Sequence, residues 1–225
     1  AAERRSFAAR YVADEVLAAI RQQCEQLFSF FSFDVYARID GFIADDGQIF
    51  LNDPNTTSGM LPSSFFFHQA AEIGLNPSQY LTYLIRTSIA DRINGTPWDA
   101  SLQQQLKQLD NRIAAAHREA GERKKIAVIL GGFSSERHIS VESGRNIYEK
   151  LSSSTTYEPI PIFLTGCEQQ HELYRIPVNM LLKDNADDIR DKVKQYSSHP
   201  VLEQIREQAA TIKKKYTGGT INFEP

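Results

Sequence analysis

Apolar residues recur every three or four positions near the start of the chain: Val12, Val16, Leu17, Ile20, Cys24, Leu27 and Phe28. That spacing predicts an amphipathic helix from about Ala2 to Phe31. The period then changes to two. Val35, Ala37, Ile39 and Gly41 alternate with Tyr36, Arg38 and Asp40, which predicts a strand from Phe33 to Ala44. Asp45-Asp46-Gly47-Gln48 is a hairpin turn signal, because Asp and Gly tolerate the positive φ such turns require, and Ile49 to Asp53 is the expected return strand. A glycine-containing loop, Thr56 to Pro62, leads into two short helices near Ser64–Ile73 and Ser78–Ile93, with the turn Gly74-Leu75-Asn76-Pro77 between them.

Asn94-Gly95-Thr96-Pro97 ends this first unit. From Asp99 to Lys124 the chain is rich in Gln, Arg, Lys and Glu, and its apolar residues Leu102, Leu106, Leu109, Ile113 and Ala116 form one narrow stripe. This is a linking helix that leans on a neighbour or a partner, or else a solvated spacer. Ile126 to Leu130 then reads as a buried strand. A glycine loop follows, then a helix with Val141, Gly144, Ile147, Tyr148 and Leu151 on one face, and a second strand from Pro159 to Leu164. Strand, helix and strand at this spacing form a βαβ unit and hence a parallel sheet. Helices are expected over Lys183–Ser197 and Leu202–Tyr216. The fold class is α/β, divided as residues 1–98, a helical linker over 99–123, and a Rossmann-like domain over 124–225.

The 225 residues are 41% hydrophobic and 10% aromatic, enough for a packed core. A net charge of −3 gives no electrostatic reason for a nucleic-acid or anionic-membrane partner. Cys24 and Cys167 stand alone, without metal-ligand spacing, which fits a reducing cytoplasm better than a disulfide. No apolar run approaches membrane-spanning length. The chain opens on Ala1 within a helical pattern and reads as a piece of something longer.

Three stretches could carry chemistry. Asp40, Asp53 and Asn55 lie on adjacent strands of the predicted hairpin, where two carboxylates and an amide oxygen could meet Mg²⁺ with hard oxygen ligands. Arg38, two before Asp40, shares that face and could meet a phosphate or carboxylate through its planar fork. A hairpin with a salt-bridged polar face accounts for the same pattern. The loop before Ser64 offers hydroxyls and amides at a helix start, suited to an anion or, more plainly, to an N-cap serine. Gly131-Gly132-Phe133-Ser134-Ser135-Glu136 leaves a strand and enters a helix. It lacks the G-x-G-x-x-G of a dinucleotide site. Glu136 could accept hydrogen bonds from an ammonium group, or simply complement the positive helix end. The histidines and cysteines form no nucleophile constellation, and His138 has no evident second partner.

The first unit resembles the C-terminal end of D-alanine–D-alanine ligases of the ATP-grasp superfamily. Their closing hairpin reads A-R-x-D … N-E-x-N-T-x-P-G-M. Here it reads Ala37-Arg38-Ile39-Asp40, then Leu51-Asn52-Asp53-Pro54-Asn55-Thr56-Thr57-Ser58-Gly59-Met60. The second unit resembles the N-terminal domain of the same family, with signature K-I-A-V-L-x-G-G-x-S-x-E, against Lys125–Glu136, Ser140 and Ser143-Gly144 here. The resemblance implies an ATP-grasp C-terminal α+β lobe and a pre-ATP-grasp parallel domain. It implies ATP and D-alanine as small-molecule substrates and Mg²⁺ as the metal, held by Asp40, Asp53 and Asn55. Arg38 and the backbone of Gly59 would stabilise the transferred phosphoryl group and the tetrahedral intermediate. Ser64 and the backbone of Phe65 would receive the carboxylate of the second D-alanine, and Glu136 the ammonium of the first.

Two departures stand out. The bridging Glu of the family is Asp53 here, one methylene shorter. The central domain, which supplies the adenine pocket and the phosphate-binding lysines, has no counterpart between Asn94 and Lys124. The end of one ligase unit thus precedes the beginning of another. The economical expectation is a tandem parent that makes a dipeptide for peptidoglycan precursors, with this piece inactive alone and Asp40 and Glu136 serving different active sites. A circular permutant and a non-catalytic scaffold that kept a degenerate ligase fold are the alternatives. Two copies could associate through the linker stripe or through surfaces the missing domain would cover.

Overall fold

The computed structural model describes residues 12–57, 59–60, 64–120, 123–194 and 200–218. The chain divides into two compact units, residues 1–59 and 60–225. Residues 2–11 of the expected first helix lie outside the described residues.

In the first unit, α1 spans Asp14–Phe30, with Asp14 and Glu15 in its first turn, where negative charge meets the positive helix end. Phe31 and Phe33 stack at 5.5 Å, and Phe28 meets Phe33 edge-on at 5.8 Å. The strand expected from Phe33 begins only at Arg38. Ser32 and Val35 take left-handed backbone, with φ of 51° and 63°, so the alternation through Val35 is not that of an extended strand. β1 (Arg38–Ile43) and β2 (Ile49–Asn55) pair antiparallel around the predicted turn. Gly47, at φ 84°, donates to the Ala44 carbonyl, and the Asp46 side chain accepts from the Gln48 amide at 3.0 Å.

The second unit opens with α2 (Phe65–Glu72) and α3 (Pro77–Gly95). Asn76 and Gln79 close a reciprocal capping box at the start of α3, with Pro77 where the missing N–H costs nothing. α4 (Ala100–Ala120) is capped by Asp99, which accepts from the Ser101 and Leu102 amides at 2.9 and 3.1 Å. Leu102, Leu106, Leu109 and Ile113 are half-buried, and α4 lies along α3.

Then come β3 (Lys124–Gly131), α5 (Arg137–Ser152) and β4 (Tyr157–Gly166). β3 and β4 are parallel and in register from Lys124↔Tyr157 to Gly131↔Leu164, which makes the expected βαβ unit. Val128, Leu130 and Phe163 face Val141 and Tyr148 of α5 in one core with Met180, Leu181 and Ile189. Gly144 admits this approach, since a Cβ there would sit 2.6 Å from the Leu130 Cβ.

β5 (His171–Arg175), which the sequence reading did not anticipate, adds an antiparallel edge strand to β4. The helix expected over Lys183–Ser197 begins later, as α7 (Ala186–Lys194), and a break separates it from α6 (Val178–Lys183), which the sequence reading did not anticipate. Asn185 separates them, its side chain accepting from the Asp187 and Asp188 amides at 2.9 and 3.0 Å. Residues 195–197 of that expectation lie outside the described residues. The helix expected over Leu202–Tyr216 is likewise divided, into α8 (Pro200–Gln208) and α9 (Ala210–Thr217). Both cysteines are free thiols, and no helix among the described residues is long and apolar enough to cross a membrane.

Polar clamps hold α2, α3 and α4 to the C-terminal helices. Arg206 donates to the Glu72 carbonyl at 3.1 Å and to its carboxylate at 3.2 Å, and Asn179 donates to the same carboxylate at 3.2 Å. Arg86 forks onto Asp110 at 2.7 and 3.1 Å, and Lys215 joins at 2.9 Å. The Arg86 hydrogen bond, followed by that of Lys215, holds the Asp110 carboxyl at about 2, below its ordinary value. A depressed carboxylate contributes stability above its unfolded pKa and loses it as pH falls through the folded one. Asp110→Asn should therefore be less stable than the parent at neutral pH, by roughly 1 kcal/mol or less because the cluster is partly exposed. Urea midpoints of the two proteins should converge as pH drops from about 4 towards 2. A gap that stays constant over that range would count against the clamp.

Candidate functional site

The hairpin gathers three of the expected residues. Arg38 Nη2 lies 3.2 Å from Asp40 Oδ2 and 3.9 Å from Asp53 Oδ2, so both carboxylates converge on one guanidinium nitrogen. A regular ladder would not do this. Asp40 pairs with Asn52, and side chains of successive strand residues point to opposite faces. The register shifts between Arg38↔Asn55 and Asp40↔Asn52, which leaves an extra residue on β2. Asp53 absorbs it in left-handed backbone, at φ 49°, next to Pro54, a residue suited to a bulge because it has no N–H to pair. The bulge turns Asp53 towards Arg38.

Asn55 lies opposite Arg38 in the register, and its amide oxygen accepts from the Thr57 amide at 2.9 Å. Asp40 and Asp53 are half and two-thirds exposed. Arg38 Nε is buried and has no hydrogen-bond partner among the described residues. An acceptor-only pair of hard carboxylates beside a guanidinium with an unused donor fits a divalent cation that also carries an anionic ligand. Among the described residues no group of three or more His, Cys, Asp or Glu could hold a metal, so the oxygen set here is two carboxylates with Asn55 beside them.

In the loop that follows, Ser58 and residues 61–63 lie outside the described residues, whereas Gly59 has open space where a Cβ would stand. Ser64 occupies the N-cap position of α2 with extended backbone, yet its side chain makes no capping bond. Its Oγ is buried and has no hydrogen-bond partner among the described residues. The ordinary use of a serine at a helix start is therefore not the use made here. Phe65, exposed, begins the helix beside it, where amides lack intrahelical acceptors.

Glu136 stands at the N-cap of α5, exposed, and makes no side-chain capping bond. The glycines before it have structural work. Gly131, at φ 94°, would drive a Cβ to 2.6 Å from the Phe163 ring and 2.7 Å from the Leu164 carbonyl. Ser140 Oγ accepts from the Gly131 amide at 3.1 Å and so fastens the helix start to the strand end. Arg137 makes a forked pair with Asp187 at 3.0 and 3.2 Å, and that guanidinium lowers the pKa of the Asp187 carboxyl. His138 does have a partner, which the sequence reading missed: its Nε2 is 3.3 Å from Asp187 Oδ2.

Residues 3–86 match the family model described as D-ala D-ala ligase C-terminus, and residues 125–219 the one described as D-ala D-ala ligase N-terminus. The chain belongs to the D-alanine–D-alanine ligase family. Its two terminal domains appear in reverse order, the C-terminal one first. The D-alanine–D-alanine ligase of Vibrio campbellii is 35% identical over 81 residues, covering 36% of this chain and 25% of the relative. That of Vibrio atlanticus is 35% identical over 77 residues, 34% and 23% of the two chains. D-alanine–D-alanine ligase B of Clostridium perfringens is 28% identical over 74 residues, 33% and 24%. The chain thus spans about a quarter of the length of these relatives. No solved structure matches it at the same stringency.

Proposed function

We propose that this ligase-family chain is part of an ATP-dependent carboxylate–amine ligase that joins D-alanine units. The observation that supports this reading is Arg38, whose one guanidinium nitrogen meets both Asp40 and Asp53 while its Nε has no partner among the described residues. Asp40, Asp53 and Asn55 would hold Mg²⁺, which when bound offsets the charge of the ATP phosphates. Arg38 and the Gly59 amide would receive the transferred phosphoryl oxygens. Ser64 Oγ and the Phe65 amide would take the carboxylate of one D-alanine, and Glu136 the ammonium of another. Asp40 and Glu136 belong to different ligase units in a tandem parent, and the piece alone lacks the nucleotide pocket.

The test is ADP formation by a longer protein that contains this chain with a central nucleotide-binding region on each side. D-alanine-dependent, Mg²⁺-dependent turnover supports the ligase reading. Absence of turnover in a folded protein favours a scaffold with a degenerate site, the alternative that Asp53 in place of Glu raises. For the chain by itself, calorimetric titration with Mg²⁺–ATP should show no measurable binding. Submicromolar affinity would overturn the claim that the pocket is missing.

A further inference from the structure

A cavity of about 210 Å³ lies inside the second unit, where the start of α3, the ends of α4, α5 and α9 and the loop before β4 meet. None of the ligase-site residues lines it. We propose that this cavity binds the phosphate group of a small phosphorylated molecule.

The argument rests on which polar groups remain unspent. Arg123 lines the cavity; its Nη1 donates to the Ser154 carbonyl at 3.4 Å, but its Nε is buried without a hydrogen-bond partner among the described residues. A buried guanidinium donor is costly to leave unpaired, so this N–H calls for an acceptor. Four helix carbonyls near the cavity are engaged by hydroxyls that line it. Thr82 donates to Ser78 O, Ser152 to Tyr148 O, Ser153 to Lys150 O and Thr217 to Lys213 O, each at 2.7–3.0 Å.

What remains are donors. Ser78 sits at the second position of α3, where its amide has no intrahelical carbonyl to meet. The hydroxyls of Ser78 and Thr155 have no side-chain partner among the described residues, and the His117 ring lines the same cavity. No carboxylate is found among the described residues that line the cavity. A guanidinium edge, two hydroxyls and a helix-start amide match an oxyanion with several acceptor oxygens, and the volume leaves room for a small organic body beside it.

The experiment titrates the chain with inorganic phosphate and, separately, with glycerol 1-phosphate, followed by phosphorus NMR line broadening and calorimetry. Saturable binding is expected. Arg123→Gln should weaken it at least about tenfold. Ser78→Ala, which disturbs no observed side-chain bond, should weaken it roughly threefold. Tighter binding of the ester identifies an organic phosphate as the ligand and equal binding the free ion; both uphold the site. Absence of saturable binding of either probe by the parent overturns the proposal. So does parental affinity in both variants when near-UV circular dichroism shows them folded.

Discussion

Arg206→Met is expected to destabilise the unit of residues 60–225 by about 3–5 kcal/mol, read from urea unfolding. Arg206 and Glu72 are 9% and 12% exposed in their side chains, so water cannot replace a lost partner. Removing the guanidinium takes a charged donor from the buried Glu72 carboxylate and another donor from the Glu72 carbonyl. The penalty comes mostly from that uncompensated charge and little from the strength of the pair. The double variant Arg206→Met with Glu72→Met should therefore recover most of the loss, because an apolar pair of similar volume removes the charge altogether. Arg86→Met gives the contrast. Its Asp110 partner is about one-third exposed and can rehydrate, so the loss should stay under about 1 kcal/mol. A loss below roughly 1 kcal/mol for Arg206→Met would mean that α2 and α8 separate in solution.

What the sequence revealed and what it hid follows from the range of the interactions. The βαβ unit was legible because its signals are local: a short apolar run, two glycines and a helical face through Val141, Gly144 and Tyr148. The hairpin was legible through Asp46-Gly47, and the family signatures named Arg38, Asp40 and Asp53. The bulge that brings these together was not, since register depends on the partner strand; Pro54 was the available hint. α6 has no polar face to give a period, with Met180, Leu181 and Leu182 all buried. β5 alternates, but with only Leu173 and Tyr174 as large apolar or aromatic positions. The clamps were out of reach for a different reason. Arg137 meets Asp187 across 50 positions and Arg206 meets Glu72 across 134, and no local pattern couples such pairs. The unspent serine at the start of α2 was likewise hidden, because Ser64 looks like any N-cap until its missing bond is seen.

On the proposed function, Arg38→Ala, made in a longer protein that contains this chain and a central nucleotide-binding region, should lower kcat/KM for D-alanine-dependent ADP formation by roughly 10²–10³. The guanidinium is the group that faces both carboxylates, and its Nε has no hydrogen-bond partner among the described residues. A charge aimed at oxygens that gain charge in the transition state matters to rate far more than to stability. Stability should change by only about 0–1 kcal/mol, since Arg38, Asp40 and Asp53 are 35%, 50% and 68% exposed and their ion pairs are screened by water. The two effects therefore separate cleanly: an almost unchanged urea midpoint with a large kinetic loss. Arg38→Lys keeps the charge but not the planar fork, and should recover only part of the rate. If Arg38→Ala stays within about threefold of the parent, Arg38 merely pairs with two surface carboxylates, and the hairpin is a polar face with no part in phosphoryl transfer.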